Sequence, residues 1–208
     1  ASKLEELTVT GPAAAVDITH TTSNDLLTIN GLGGDDVIDA GGVGAGRMHL
    51  QLNGGAGNDT LIGGDGSDFF NGGQGSDVIL AGAGDDNMVW NPGDGSDIIE
   101  GQAGFDTLTF NGANINEHFD ISANGDRIRM TRDVAAITMD LHGLERIELD
   151  TKGGTDTITI NDLHGTGVKQ VALNLGSSIF GGDEAVDNVV INTGNGNDHL
   201  VVTQLGDL

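Results

Sequence analysis

Between Gly54 and Val89 the chain repeats a nine-residue unit with almost no slippage. It reads Gly54-Gly-Ala-Gly-Asn-Asp59-Thr-Leu-Ile, Gly63-Gly-Asp-Gly-Ser-Asp68-Phe-Phe-Asn, Gly72-Gly-Gln-Gly-Ser-Asp77-Val-Ile-Leu and Ala81-Gly-Ala-Gly-Asp-Asp86-Asn-Met-Val. Two places after each aspartate stands an apolar residue: Leu61, Phe70, Ile79 and Met88. About six residues of each unit have turn chemistry, in which glycine supplies positive φ and lets backbone carbonyls converge. The other three have β character, with one apolar side chain available to point inward. A flexible glycine-rich linker has no reason to hold that apolar place fixed, so the period specifies a repeat fold.

The pattern, G-G-x-G-x-D-x-U-x with U apolar, resembles that of the RTX, or haemolysin-type, calcium-binding repeat proteins. The resemblance implies an all-β fold built on a parallel β-roll, each unit forming half a coil. The roll is expected to be right-handed, the usual hand of parallel crossovers. Two units then complete a turn, stacking Asp59 over Asp77 and Asp68 over Asp86. Neighbouring coils sit roughly 4.8 Å apart. Two carboxylates at that distance repel by about 0.9 kcal/mol in bulk water and about 3.5 kcal/mol at an effective dielectric of about 20. A ladder of them does not close bare. Calcium, a hard dication that takes roughly six to eight oxygen ligands, suits carboxylates from stacked turns together with loop carbonyls. The metal ligands so implied are Asp59, Asp68, Asp77 and Asp86, with the loop glycines Gly55, Gly57, Gly64, Gly66, Gly73, Gly75, Gly82 and Gly84.

The ladder continues outward in weaker form. The register slips by two residues at Trp90 and Asn91, then resumes through Gly93-Asp-Gly-Ser-Asp97 and Gly104-Phe-Asp106, which adds Asp97 and Asp106. Upstream, Gly31-Leu-Gly-Gly-Asp35-Asp-Val37 offers Asp35, whereas Gly41-Gly-Val-Gly-Ala-Gly46 carries glycine where the aspartate belongs. That half-site is expected to be empty or differently filled. Near the C-terminus Gly194-Asn-Gly-Asn-Asp198 repeats the motif alone, with Asp183 or Asp187 as the expected partner of Asp198.

Flanking segments read as wider β-helix-like coils. Asp25-Leu-Leu-Thr-Ile-Asn30 is echoed at 106–111, 156–161 and 187–192, each a short strand closed by a turn-forming Asn. Phe119 to Met130 alternates around Asn124-Gly125 and predicts a β-hairpin, with further strands at Ile137–Leu141 and Arg146–Leu149. The expected organisation is N-terminal coils with a degenerate repeat over 1–50, the calcium roll over 51–110, a hairpin insertion over 111–152, and C-terminal coils over 153–208.

Composition narrows the function. The chain has 32 Asp and Glu against 8 Lys and Arg, a net charge of −24, 36 Gly and no Cys among 208 residues. Nucleic acid is excluded as an expected partner, because its phosphates require clustered cations. With aromatic residues at 3%, a conventional globular core is not expected, and solenoid stacking removes the need for one. The charge density predicts a loose chain without metal. No apolar run reaches the length of a membrane span, and no N-terminal charged segment precedes an apolar stretch. The opening Ala-Ser-Lys and closing Gly-Asp-Leu suggest a piece of a larger polypeptide.

Catalysis is not expected. The six histidines are scattered, H-E-x-x-H and G-x-S-x-G are missing, and there is no cysteine nucleophile. The rival reading is a β-helix acting on or binding an acidic sugar, like a polysaccharide lyase or epimerase, with His118, Arg127 and Arg129 lining a groove. The simpler account of the five cations Arg127, Arg129, Arg132, Arg146 and Lys152 is charge balance against the acidic roll. The block from Thr107 to about Leu175 is also similar to a segment that follows RTX repeats in uncharacterised bacterial secreted proteins, on Phe110-Asn-Gly-Ala-Asn, Asp120-Ile-Ser-Ala-Asn-Gly, Thr131-Arg-Asp-Val, Met139-Asp-Leu and Glu145-Arg-Ile. Together these resemblances imply a calcium-binding module of an extracellular bacterial protein exported by the type I route. It would fold on calcium after export and serve a structural, secretory or surface-tethering role, with the rest of its polypeptide, or anionic polysaccharide at a cell surface, as partner.

Overall fold

The structure is a computed structural model, and it describes residues 6–9, 16–176 and 185–195. Eighteen strands follow in chain order: β1 (Glu6–Val9), β2 (Val16–Thr19), β3 (Leu26–Gly33), β4 (Val37–Asp39), β5 (His49–Ala56), β6 (Thr60–Ile62), β7 (Phe69–Gln74), β8 (Val78–Leu80), β9 (Asn87–Trp90), β10 (Ile98–Glu100), β11 (Thr107–Asn111), β12 (His118–Asn124), β13 (Arg127–Arg132), β14 (Ile137–His142), β15 (Arg146–Asp150), β16 (Thr157–Ile160), β17 (Gln170–Asn174) and β18 (Asn188–Ile191). The first two form an antiparallel pair. The rest divide into two sheets, in the orders β17-β15-β11-β9-β7-β5-β3 and β18-β16-β12-β13-β14-β10-β8-β6-β4. From β3 to β11 the chain alternates between the sheets and each strand lies parallel to its predecessor in the same sheet, the winding of a parallel β-roll.

The coil length follows the repeat. Aspartates eighteen residues apart stack between Asp59 and Asp77 and between Asp68 and Asp86. After Trp90 the step becomes twenty. The two extra residues are taken up in the 91–95 turn, where Asn91 N donates to Asp94 Oδ2 at 2.7 Å and Trp90 Nε1 to the Gly95 carbonyl at 2.8 Å. Alternation along the strands puts the residue two places after each aspartate into the core: Leu61, Phe70 and Met88 are fully buried, as is Leu108 further on. The residues flanking them face outward, so Phe69 is 36% exposed beside a fully buried Phe70.

The hairpin expected between 111 and 152 is present, yet it is built into a sheet. Strand β12 turns back through Gly125 and Asp126 to β13, which pairs antiparallel with both β12 and β14. Strand β14 then lies parallel to β10, and β12 parallel to β16. The meander thus fills places in a parallel sheet, lengthening the coil to 39 residues between Glu117 and Asp156. Its inward residues Phe119, Ile121, Ile128, Met130, Met139 and Leu141 join one core with the roll. Trp90 stacks on Phe110 with centroids 4.0 Å apart, and Phe110 meets Phe119 edge-on at 6.0 Å. Among the described residues no helix is long and apolar enough to cross a membrane.

The alternation predicts opposite outcomes for adjacent residues. Phe70→Ala should cost about 3–5 kcal/mol in urea unfolding at saturating calcium, and Phe69→Ala about 1 kcal/mol or less. Equal losses would contradict the assigned faces.

Candidate functional site

Most turns between the sheets end in an acidic residue immediately before the next strand, and these residues form columns along the two edges of the roll. The first column runs Asp36, Asp59, Asp77, Asp97: the backbone N–H of each of the first three donates to Oδ1 of the next at 2.8–2.9 Å. The second runs Asp68, Asp86, Asp106, joined in the same way at 2.8 and 2.9 Å, and closes on Glu145, whose Oε2 accepts from Asp106 N at 2.9 Å. The repeat period sets this geometry, because an integral coil returns every aspartate to the same corner.

Hydrogen bonding accounts for only one oxygen of most of these carboxylates. Oδ2 of Asp36, Asp59, Asp77, Asp86 and Asp106 is buried without a hydrogen-bond donor among the described residues. At the first turn position it presses against a glycine Cα: a Cβ on Gly31 would stand 2.8 Å from Asp36 Oδ2, one on Gly101 2.7 Å from Asp106 Oδ2, and one on Gly54 or Gly72 would overlap Asp59 or Asp77. A buried carboxylate oxygen lacking a donor is costly unless a cation meets it. Burial accordingly raises Asp86 to about 8, with Asp106, Asp68 and Asp85 adding like charge against the relief of the Asp68 amide. Burial likewise lifts Asp97 to about 7 and Asp77 and Asp106 each to about 6, and it raises Asp68 and Asp94 from 3.8.

The donor set fits a hard cation. It contains carboxylate and carbonyl oxygen and no sulfur. Among the described residues no three His, Asp or Glu side chains converge on one point, so backbone carbonyls must complete any coordination shell. Close stacking of the turns supplies them. At the fourth turn position Gly57, Gly75 and Gly84 take φ of +136°, +137° and +125°, and a Cβ on any of them would strike the backbone of the turn before, Gly34, Gly57 or Gly66.

Of the residues singled out in the sequence, Asp59, Asp68, Asp77, Asp86, Asp97 and Asp106 all fall in the columns. Gly55, Gly73 and Gly82 hold the second turn position at φ +115°, +93° and +111°. Gly64 and Gly66 lie in a turn without positive φ, packed on Val43 and Met48 of the irregular 41–48 segment. Beside Asp35, Asp36 holds the column, while Asp35 Oδ1 accepts from Asn58 N at 2.8 Å in the outer row. The Gly31–Asp36 interval, equal to Gly54–Asp59, is the signal that distinguishes them. The half-site beside Gly46 is differently filled, since buried Leu50 takes the column position and donates its N–H to Asp68 Oδ1 at 3.0 Å. Asp198 and Asp183 lie outside the described residues.

A third column, unread in the sequence, continues the first sheet edge beyond the meander. Glu117 N donates to Asp156 Oδ1 at 2.8 Å and Asp156 N to Asp187 Oδ1 at 2.9 Å. Asp187 therefore stacks on Asp156. The turn 151–156 lacks the first two glycines, yet Lys152 adopts φ +66° at the second place, as do Gln102 at +72° and Leu32 at +77° in equivalent turns. Gly154-Thr-Asp156-Thr-Ile158 keeps the G-x-D-x-U spacing that betrays it.

His118 and Arg127, expected together in an acidic-sugar groove, are not brought to one place, and three of the hairpin-region cations are held in ion pairs. Arg127 is held by Asp140 at 2.5 Å and Glu100 at 2.6 Å, Arg146 by Glu148 at 2.7 Å, and Lys152 by Asp150. His118 and Arg127 stand at opposite ends of the hairpin, roughly 20 Å apart at a strand rise of about 3.3 Å per residue.

The raised carboxylates fix the sign of a pH effect. A carboxyl whose folded pKa exceeds its unfolded value binds more protons folded than unfolded, so metal-free stability is full below 3.8 and is lost as pH rises toward about 8. In chelator, the β signal of the roll should be greatest near pH 5 and be lost steadily toward pH 8; in excess calcium, which competes with those protons, the midpoint of thermal unfolding should rise over the same range. A flat profile in chelator would contradict the buried columns.

Comparison with known proteins agrees with this geometry. Residues 28–42, 52–88 and 92–109 match the family described as RTX calcium-binding nonapeptide repeat (4 copies). Comparison with the curated proteins and with the solved structures gave no match. On its repeats, its parallel two-sheet roll and its stacked aspartate columns, the chain carries RTX-type nonapeptide repeats over 28–109, of the kind that bind calcium.

Proposed function

We propose that this chain is a calcium-folded module of a secreted bacterial protein, structural and without catalysis of its own. The observation that carries the reading is the row of buried Oδ2 oxygens on Asp36, Asp59, Asp77, Asp86 and Asp106, each lacking a donor among the described residues. Calcium bound between successive turns would meet these oxygens and the converging loop carbonyls, with Asp68 and Asp97 contributing to the same two columns. Magnesium fits less well, because it demands a small octahedral shell and keeps its waters.

The mechanism is linkage. An ion that binds the folded roll and not the unfolded chain adds RT ln(1 + [Ca]/Kd) per site. Extracellular modules hold calcium with Kd of roughly 10⁻⁴ to 10⁻³ M. Cytosolic calcium lies far below that range, so the chain leaves the cell unfolded by the type I route and folds outside, where calcium is plentiful. Folding at the exit would then oppose back-sliding and organise the adjoining polypeptide. Tethering to a cell surface or to anionic polysaccharide through calcium is compatible with the acidic exterior.

The test is far-UV circular dichroism of the chelated protein titrated with calcium, with magnesium as the control. A cooperative gain of β signal with calcium alone is expected. Asp77→Ala, at the middle of a column, should raise the calcium midpoint about tenfold or more, the equivalent of about 1.4 kcal/mol. Asp126→Ala, whose side chain is 79% exposed in the hairpin turn, should leave it unchanged. Equal shifts, or an equal response to magnesium, would refute the reading.

A further inference from the structure

The head of the third column differs from every other column position. Glu117 is reached by the same local structure as the repeat aspartates. A Cβ on Gly112 would stand 2.5 Å from Glu117 Oε2. Ala113 N donates to that oxygen at 2.7 Å, as Gly64 N donates to Asp68 Oδ2 at 3.1 Å. Asn116 Oδ1 accepts from Thr155 N at 2.9 Å, as Asn58 Oδ1 accepts from Ser76 N at 2.9 Å. Even the backbone approach is repeated, since a Cβ on Gly154 would lie 2.6 Å from the Ile115 carbonyl carbon, and one on Gly84 2.6 Å from that of Gly66. The turn pair 112–117 and 151–156 is therefore an RTX turn pair in geometry, beyond the matched residues.

No repeat turn stacks beneath Glu117. Its neighbour on that side is antiparallel β13 with the short turn 133–136, whose Asp133 Oδ1 accepts from His118 N at 2.8 Å and which does not give Glu117 the amide that Asp36 gives to Asp59. Arg132 stands there instead. Its Nε pairs with Glu117 Oε1, and the two side chains are 3% and 0% exposed. Its guanidinium carbon lies 5.4 Å over the Trp90 ring, the same ring that stacks on Phe110. A planar guanidinium carries fixed charge on several donors and tolerates an aromatic face, which suits it to a closed site better than an ammonium.

We propose that Arg132 is the built-in counter-cation of this column, supplied by the chain at the position where the roll would use a metal ion. The coils from Gly112 to Ile160 then keep their packing when calcium is withdrawn, and form the preassembled end against which the calcium-dependent coils close. The proposal rests on the reading that calcium closes the first two columns.

Hydrogen exchange read peptide by peptide separates the two. In chelator, amides of β6 to β9 should lose protection and regain it with calcium, while those of β12, β13 and β16 stay protected throughout. Persistence of protection over β6 to β9 in chelator would speak against calcium folding alone. Exposure of β12 and β16 in chelator would overturn the role of Arg132. Arg132→Gln leaves a lone buried carboxylate and should speed exchange at β12 and β16 in chelator by on the order of 100-fold; unchanged exchange would overturn the proposal. Should that variant fail to fold even in calcium, Glu117→Leu with Arg132→Met removes both charges and should restore protection in chelator. Failure to restore it would also overturn the proposal.

Discussion

The roll depends on keeping a carboxylate at the same corner of successive coils. The integral repeat brings each aspartate over the last at the start of a strand; at Asp59, Asp77, Asp86 and Asp106 one oxygen is fixed by the amide of the preceding coil and the other has no donor among the described residues. Backbone pairing and apolar packing favour the stack, and charge opposes it. The fold therefore holds its own repulsion in register, and a bound cation converts that repulsion into adhesion. Sequence, coil length and ligand preference are aspects of one constraint.

Departures from the repeat show how the constraint is met when its usual parts are missing. A two-residue insertion is absorbed at Asn91 to Gly95 without disturbing the columns, because it falls in a turn and is closed by Asp94 and the Trp90 indole. The much larger insertion of the meander falls within a sheet, and antiparallel pairing lets it occupy strand places. There the column loses its stacked predecessor, and Arg132 supplies the positive charge. Arg127, Arg146 and Lys152 pair on the outer faces with Glu100, Asp140, Glu148 and Asp150.

Much of this was legible in the sequence where local rules and the global fold agree. The nonapeptide specified the roll, the stacking of Asp59 on Asp77 and the inward Phe70. The Asn-Gly pair marked the hairpin to within a residue, the turn falling on Gly125 and Asp126. The less legible features are carried by spacing without composition. Asp35 and Asp36 look alike as adjacent aspartates until Gly31 is used as the origin. The turn at Thr151 to Asp156 was hidden because Lys152 adopts the left-handed backbone usually left to glycine. Neither Glu117 nor Arg132 could be paired from sequence, since their contact depends on an antiparallel strand returning from fifteen residues away.

The most direct test of the central claim is anomalous diffraction from crystals grown in calcium. Rows of calcium peaks should lie along both column edges, roughly 2.3–2.6 Å from Oδ2 of Asp59, Asp77, Asp86 and Asp106, with no peak beside Glu117 where Arg132 stands. Ordered turns whose buried carboxylates carry no calcium would contradict the account.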